Sequence, residues 1–411
     1  MLGPVDEALR RAFNAGYDPE LPKRYVRRLE EYLGVSIPFR VAESPLFLPR
    51  GLRSRLATAA REIVKQISDP ALIEKMKAAI PPEVDVPRLD TLSNCIQVDF
   101  AVTRDDHGEL TGKVVELQGF PSLYALMVLQ TDAFAAETKH IPGLQREWSL
   151  YYSGLDRHSY LAKLRETLLG GEDPREVVLL DLDPKLQKTY SDMVATKMLI
   201  GIDSISPEEL EREGMRLYRV LDGKRVQVKR IYNRVVFDEL QNKKVELPFD
   251  YREDLDVTWC PHPNWYWIWS KYTLPHVDHP AVPKATYLSD LKKIPDDLSR
   301  YVLKPLFSFA GSGVKVDVTE EDLRAIPDKE REGWILQEKI VYEPALKMPS
   351  GDGVKAEVRM MFVRPPNDPE PTLAINLVRL SRGKMIGVDH NRDLDWVGGS
   401  IGIWPADEPP V

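Results

Sequence analysis

Two alternating apolar runs, "NCIQVDFAV" and "TGKVVELQGF", flank the polar stretch Asp105-Asp106-His107-Gly108. This is the pattern of a β-hairpin with a somewhat long turn. Pairing the two runs lays Asp99 beside the sequence Glu116-Leu117-Gln118. Successive strand residues point to opposite faces, so Glu116 and Gln118 present their side chains in the same direction. Two carboxylates and an amide grouped in this way suit magnesium, which takes hard oxygen ligands in octahedral geometry. The same residues also fit a hairpin that simply turns its polar face to solvent.

A second feature lies far downstream. The stretch "YVLKPLFSFAGSGVKV" sets Lys304 in an apolar run, just before a loop of small residues that includes Ser308, Gly311, Ser312 and Gly313. A lysine in an apolar strand is costly unless its ammonium reaches water or an anion. Small residues let backbone N–H groups approach a ligand closely, and together with the lysine they suit a polyphosphate. The order differs from the phosphate loop in which the lysine follows the glycines and opens a helix. A hairpin with a snorkelling lysine is the alternative.

Between and around these features the organisation changes along the chain. Residues 1–90 carry apolar positions at spacings of three and four, as in "KRYVRRLEEYL" and "LRSRLATAAREIVKQI", which predicts helices. Residues 91–150 hold the hairpin and then a helix, "SLYALMVLQTDAFAAET", with Ser122 as its expected N-cap. In residues 151–262 the short apolar "REVVLLDLDP" predicts a strand buried in a parallel sheet. "KLQKTYSDMVATKMLIG" and "SPEELEREGMRLY" are expected to be helical there, and Asp222-Gly223 to turn a hairpin. Residues 263–411 read as mainly antiparallel β, with Trp265, Trp267 and Trp269 expected along one face of a strand as core packing.

The order of motifs in the last segment, Lys271, then Lys304 and its loop, then Gln337-Glu338-Lys339-Ile340, resembles the nucleotide-holding half of the ATP-grasp enzymes. Placing the acidic hairpin before that half resembles the circularly permuted members, of the glutathionylspermidine synthase type. The resemblance implies an α+β or α/β chain: a circularly permuted ATP-grasp fold, a helical N-terminal segment and a small pre-ATP-grasp-like α/β layer. It implies ATP held by Lys271 and Lys304, the loop closing over its phosphates, the hinge 337–340 reading adenine, and Glu343 on the ribose. It implies Asp99, Glu116 and Gln118 as ligands to Mg2+. Two positions depart from the family's pattern. Gln118 stands where the family has asparagine, and Gln97 where it has an arginine that stabilises the transferring phosphoryl group; Arg359, Arg379 and Arg382 are candidates for the lost cation.

The activity implied is an ATP- and magnesium-dependent ligase that joins a small-molecule carboxylate to an amine or thiol through an acyl phosphate. A small-molecule kinase on the same fold and a non-catalytic nucleotide-binding protein are the rivals, the latter because of Gln97. Other classes find little support. The formal charge of −8 is unlike that of a nucleic-acid binder. Two distant cysteines, Cys95 and Cys260, lack the spacing of a disulfide framework or a zinc site, and His262, His276, His279 and His390 are scattered. No apolar run reaches membrane-spanning length and no signal peptide is evident, so a cytoplasmic protein is expected.

Overall fold

In the computed structural model, which describes residues 4–243, 245–307, 313–383 and 394–411, the N-terminal periodicity becomes the helices Pro4–Gly16, Leu21–Leu33, Arg50–Ile67 and Pro70–Met76. In the second of these, Leu21, Tyr25, Leu29 and Leu33 recur every four residues and form the buried stripe, and the helix ends at Gly34 with φ +69°. Helix Arg50–Ile67 crosses the hairpin at Gly112, where a Cβ would lie 2.4 Å from Leu56 Cδ2. A side chain there would force Leu56 or Phe100 to shift.

The hairpin forms as Cys95–Arg104 and Leu110–Gln118, antiparallel, with Asp99 opposite Glu116 and Gln97 opposite Gln118. It is the edge of the largest sheet. Strand Cys95–Arg104 pairs with Gly353–Val363, which pairs in turn with Thr372–Ser381 and, through it, Gly398–Ser400. Residues from the two ends of the sequence therefore build one sheet. One of its faces packs under the N-terminal helices through Phe100, Val114 and Leu56 in the main core. The opposite face carries Asp99, Glu116, Glu357, Arg359 and Arg379, with a bulge in the hairpin register between Asp99 and Phe100.

A four-stranded parallel sheet, Thr258–Cys260, Arg230–Asn233, Val177–Leu180 and Asp203–Ile205, makes a separate α/β layer. Its central strand "VVLL" is fully buried, as its unbroken apolar run predicts. A third sheet, Ala285–Tyr287, Trp334–Glu338 and Tyr301–Pro305, is antiparallel and carries Lys304. Among the described residues no helix is long and apolar enough to cross a membrane.

Four local expectations are corrected. Trp265–Ile268 is a short helix followed by the 3-10 turn Lys271–His276, not a strand. Trp265 and Trp269 still share a face, because i and i+4 coincide in both geometries; their rings lie 4.4 Å apart in the main core, while Trp267 packs into the α/β layer. "SPEELEREGMRLY" is not a helix but a 3-10 turn and two strands, Glu211–Glu213 and Arg216–Leu221, broken at Gly214 with φ +61°. Leu210 and Leu217 are its buried anchors, too few for a helical stripe. The segment after Thr189 is helical only over Tyr190–Ile200, because Pro184 opens an isolated 3-10 turn ahead of it. The helix expected from Ser122 begins at Leu126, and its N-cap Ala125 offers no side chain. The buried carboxylate of Asp192, from the α/β layer, does that work instead by accepting from the N–H groups of Leu123, Ala125 and Leu126 at 2.9 to 3.0 Å.

Candidate functional site

On the open face of the large sheet, strand pairing sets acids against arginines. Asp99 is fully buried and accepts from Arg359 Nε at 2.7 Å, Arg359 Nη2 at 2.8 Å and Arg379 Nη2 at 2.6 Å. Burial alone would raise its pKa, but the two guanidinium groups outweigh it and hold the carboxyl below the usual range. Arg379 Nη2 also lies 2.7 Å from Glu357 Oε2 and 4.0 Å from Glu116 Oε1. Three strands thus deliver three carboxylates to one guanidinium. Burial pushes the Glu357 carboxyl up, and Tyr342 donates its hydroxyl to it.

Gln118 Nε2 donates to Glu116 at 2.6 Å and reaches Asp99 at 3.5 Å. Gln97 is buried, donates Nε2 to Ser122 O at 2.9 Å and leaves its Oε1 without a partner. Both oxygens of Asp99 are committed to arginines, and the Gln118 amide turns a donor toward the acids, not its carbonyl. Asp99, Glu116 and Gln118 are therefore adjacent, as the hairpin dictates, but they do not form an oxygen cage for a metal. Among the described residues no group of three acidic, histidine or cysteine side chains is arranged to hold a metal ion.

Lys304, from the third sheet, reaches across to the hairpin and donates Nζ to Val115 O at 3.2 Å. Burial lowers its pKa to about 8; Glu116 and Glu357 oppose the fall and Lys271 adds to it. Burial also lowers the pKa of Lys271, again against the pull of Glu116. Lys271 lines a small cavity of about 70 Å³ together with Glu116, Gln118, Phe120, Tyr266 and Phe307. The two lysines and the acidic hairpin, far apart in sequence, therefore meet. The turn after Gln118 is held tightly: Gly119 N donates to Trp269 O at 2.9 Å, and a Cβ at Gly119 would sit 2.2 Å from Trp265 O.

A larger cleft of about 790 Å³ opens farther along the same hairpin strand, lined by Thr103, Lys113, His276, Lys284, Glu338 and Ile340. Its size is that of a small-molecule site. Residues 337–340 border it, but the N–H of Glu338 is taken by Lys284 O and that of Lys339 by Arg300 O, so neither is open to a base edge. Gln337 is buried with both amide atoms unpartnered. Glu343 lies 3.8 Å from Arg104, and its N–H binds Val102 O. Arg382 is apart from the network, paired with Asp395 and 3.9 Å from Asp352. Gly313 has φ +74°, while Ser308, Gly311 and Ser312 lie outside the described residues.

Three participants escaped the sequence reading. Glu357 and Tyr342 complete the network around Arg379, and the only trace of the first was a Glu-x-Arg alternation inside an apolar strand. Arg234 directly follows the strand Arg230–Asn233 of the parallel sheet, lies 3.5 Å from Asp192 and sits 5.4 Å over the ring of Phe120, with its Nε unpartnered.

No family model matches the chain, and no curated protein matches it in sequence. A structural likeness does exist, to a glutathione synthetase like-effector (GSS30) from Globodera pallida in its apo form. The two superpose with a TM-score of 0.59 over 90% of this chain and 96% of the other, at 13% identity. The likeness is one of fold. It extends over nearly the whole chain.

Proposed function

We propose that the chain is an ATP-dependent carboxylate–amine (or thiol) ligase with a circularly permuted ATP-grasp fold. The observation that carries this reading is the meeting of Lys271 and Lys304 with Glu116 beside a cleft of nucleotide size. Two lysines brought together in a desolvated place beside Glu116 supply positive charge that suits a polyphosphate. The base and ribose would lie in the larger cleft, and the triphosphate would run toward Lys304. A magnesium ion carried on the triphosphate would meet Glu116, which lines the small cavity beside Lys271.

The remaining chemistry is positioning and charge neutralisation. A substrate carboxylate attacks the terminal phosphorus, ADP leaves, and the acyl phosphate forms. An amine or thiol then attacks the acyl carbon and expels inorganic phosphate. Arg379 supplies the cation that Gln97 no longer provides. The acid substrate approaches from the carboxyl edge of the parallel sheet, where open α/β sheets bind ligands and where Arg234 and Phe120 face the hairpin. We propose small-molecule partners and a cytoplasmic location.

Gln97 favours a second reading, a nucleotide-binding protein without turnover, because its neutral amide stands in the place of a phosphoryl-stabilising arginine. The deciding assay follows ADP and free phosphate across amino acids, polyamines and short peptides. The ligase reading expects phosphate release that needs both a carboxylate and an amine or thiol. A stable phosphorylated alcohol would mark a kinase. Nucleotide bound but never hydrolysed would mark the non-catalytic protein.

A further inference from the structure

The network around Arg379 does more than replace one missing arginine. Its Nη2 lies 2.6 Å from Asp99, 2.7 Å from Glu357 and 4.0 Å from Glu116, and its side chain is 30% exposed. Two of these acids are almost fully buried, and each comes from a different strand. Carboxylates converging in this way on a desolvated point repel one another unless a cation sits among them. We propose that Arg379 is a resident cation, tethered where a divalent ion would otherwise sit, and that it keeps the acidic face closed to free divalent metal.

The geometry accounts for the choice of guanidinium. It stays charged at any physiological pH, and its several N–H donors let one group serve Asp99 and Glu357 together. Arg359 holds Asp99 from its other side, so Asp99 is fixed before any ligand arrives. Tyr342 fixes Glu357 in the same manner. A divalent ion entering this place would have to displace a covalently attached competitor that no dilution removes. In the intact chain, divalent metal would then enter only with a nucleotide's phosphates, and through Glu116. The inference concerns metal binding without nucleotide, so it stands or falls separately from the ligase reading.

The test uses Mn2+ alone, with no nucleotide, and follows loss of the free-ion electron paramagnetic resonance signal on adding the full-length protein. The intact protein is expected to leave the signal unchanged at millimolar Mn2+. Arg379→Ala uncovers the acids and is expected to bind Mn2+ at least about tenfold more tightly than the intact protein. Arg379→Lys keeps a tethered charge and is expected to behave as the intact protein does. Should Arg379→Ala not fold, the double variant Arg379→Ala with Glu357→Gln removes one buried charge of each sign and is read in the same way. Three results would each overturn the proposal: Mn2+ bound by the intact protein, no gain in the folded alanine or double variant, or an equal gain in the lysine variant.

Discussion

Arg359 grips Asp99 with two prongs, Nε to Oδ1 at 2.7 Å and Nη2 to Oδ2 at 2.8 Å, although 260 positions separate them in the sequence. The pair joins the edge hairpin to the body of the large sheet, because the two residues sit directly opposite each other on adjacent strands. Its burial makes it expensive to break.

Asp99→Asn is expected to lower stability by about 3–5 kcal/mol, since it leaves a buried guanidinium without its counter-charge. Thermal denaturation of the variant and the intact protein reads this directly. The pH dependence has a definite sign. The folded-state pKa of Asp99 lies below the ordinary 3.8, so its stabilising contribution is in full force above that value. It is lost as pH falls through the lower, folded-state value. The variant should therefore lack part of the acid-side fall in stability that the intact protein shows below about pH 4.

Lys304 has the opposite balance. Its folded-state pKa of about 8 lies below the ordinary 10.5, so between these values the unfolded chain binds more protons than the folded one. The contribution of Lys304 to stability accordingly rises with pH across that window. A bound polyphosphate would restore the charge. Nucleotide binding at a pH of about 9 should therefore take up a proton, and affinity should fall as pH rises past about 8. Calorimetry in buffers of different protonation enthalpy measures the uptake. An absence of uptake would mean that Lys304 does not meet the phosphates.

Gly119→Ala tests the tight turn behind the acidic hairpin. The added Cβ would stand 2.2 Å from a backbone oxygen, Trp265 O, which cannot swing aside as a side chain can. A destabilisation of about 1–3 kcal/mol is expected, along with weaker ligand binding as Glu116 and Gln118 are displaced. Urea denaturation supplies the first number and ligand titration the second.

Much of this site was legible because alternation and turn residues fix register. The run around Asp105–Gly108 set the hairpin's register as far as Phe100 opposite Val114, a bulge then brings Asp99 opposite Glu116, and the lysine in "YVLKP" marked a strand with something to reach. The apolar "VVLL" likewise declared a strand covered on both faces. What stayed hidden depends on partners remote in sequence. No local pattern could show that Asp192 would cap the helix starting at Leu126, or that Arg379 would sit among three acids from three strands. The tryptophans misled for a different reason. Trp265 and Trp269 share a face whether the chain is extended or helical, and only the separate destination of Trp267 distinguishes the two.

The central claim is that Lys304 and its neighbours grip a nucleotide's phosphates, and titration of ATP with magnesium present tests it most directly, comparing the intact protein with Lys304→Ala. Removing a buried ammonium should leave thermal stability equal or higher, because its desolvation cost is relieved. ATP affinity should nevertheless fall by about tenfold or more with the loss of a charge-assisted contact. No ATP binding by the intact protein, or equal affinity in the two, would contradict the account.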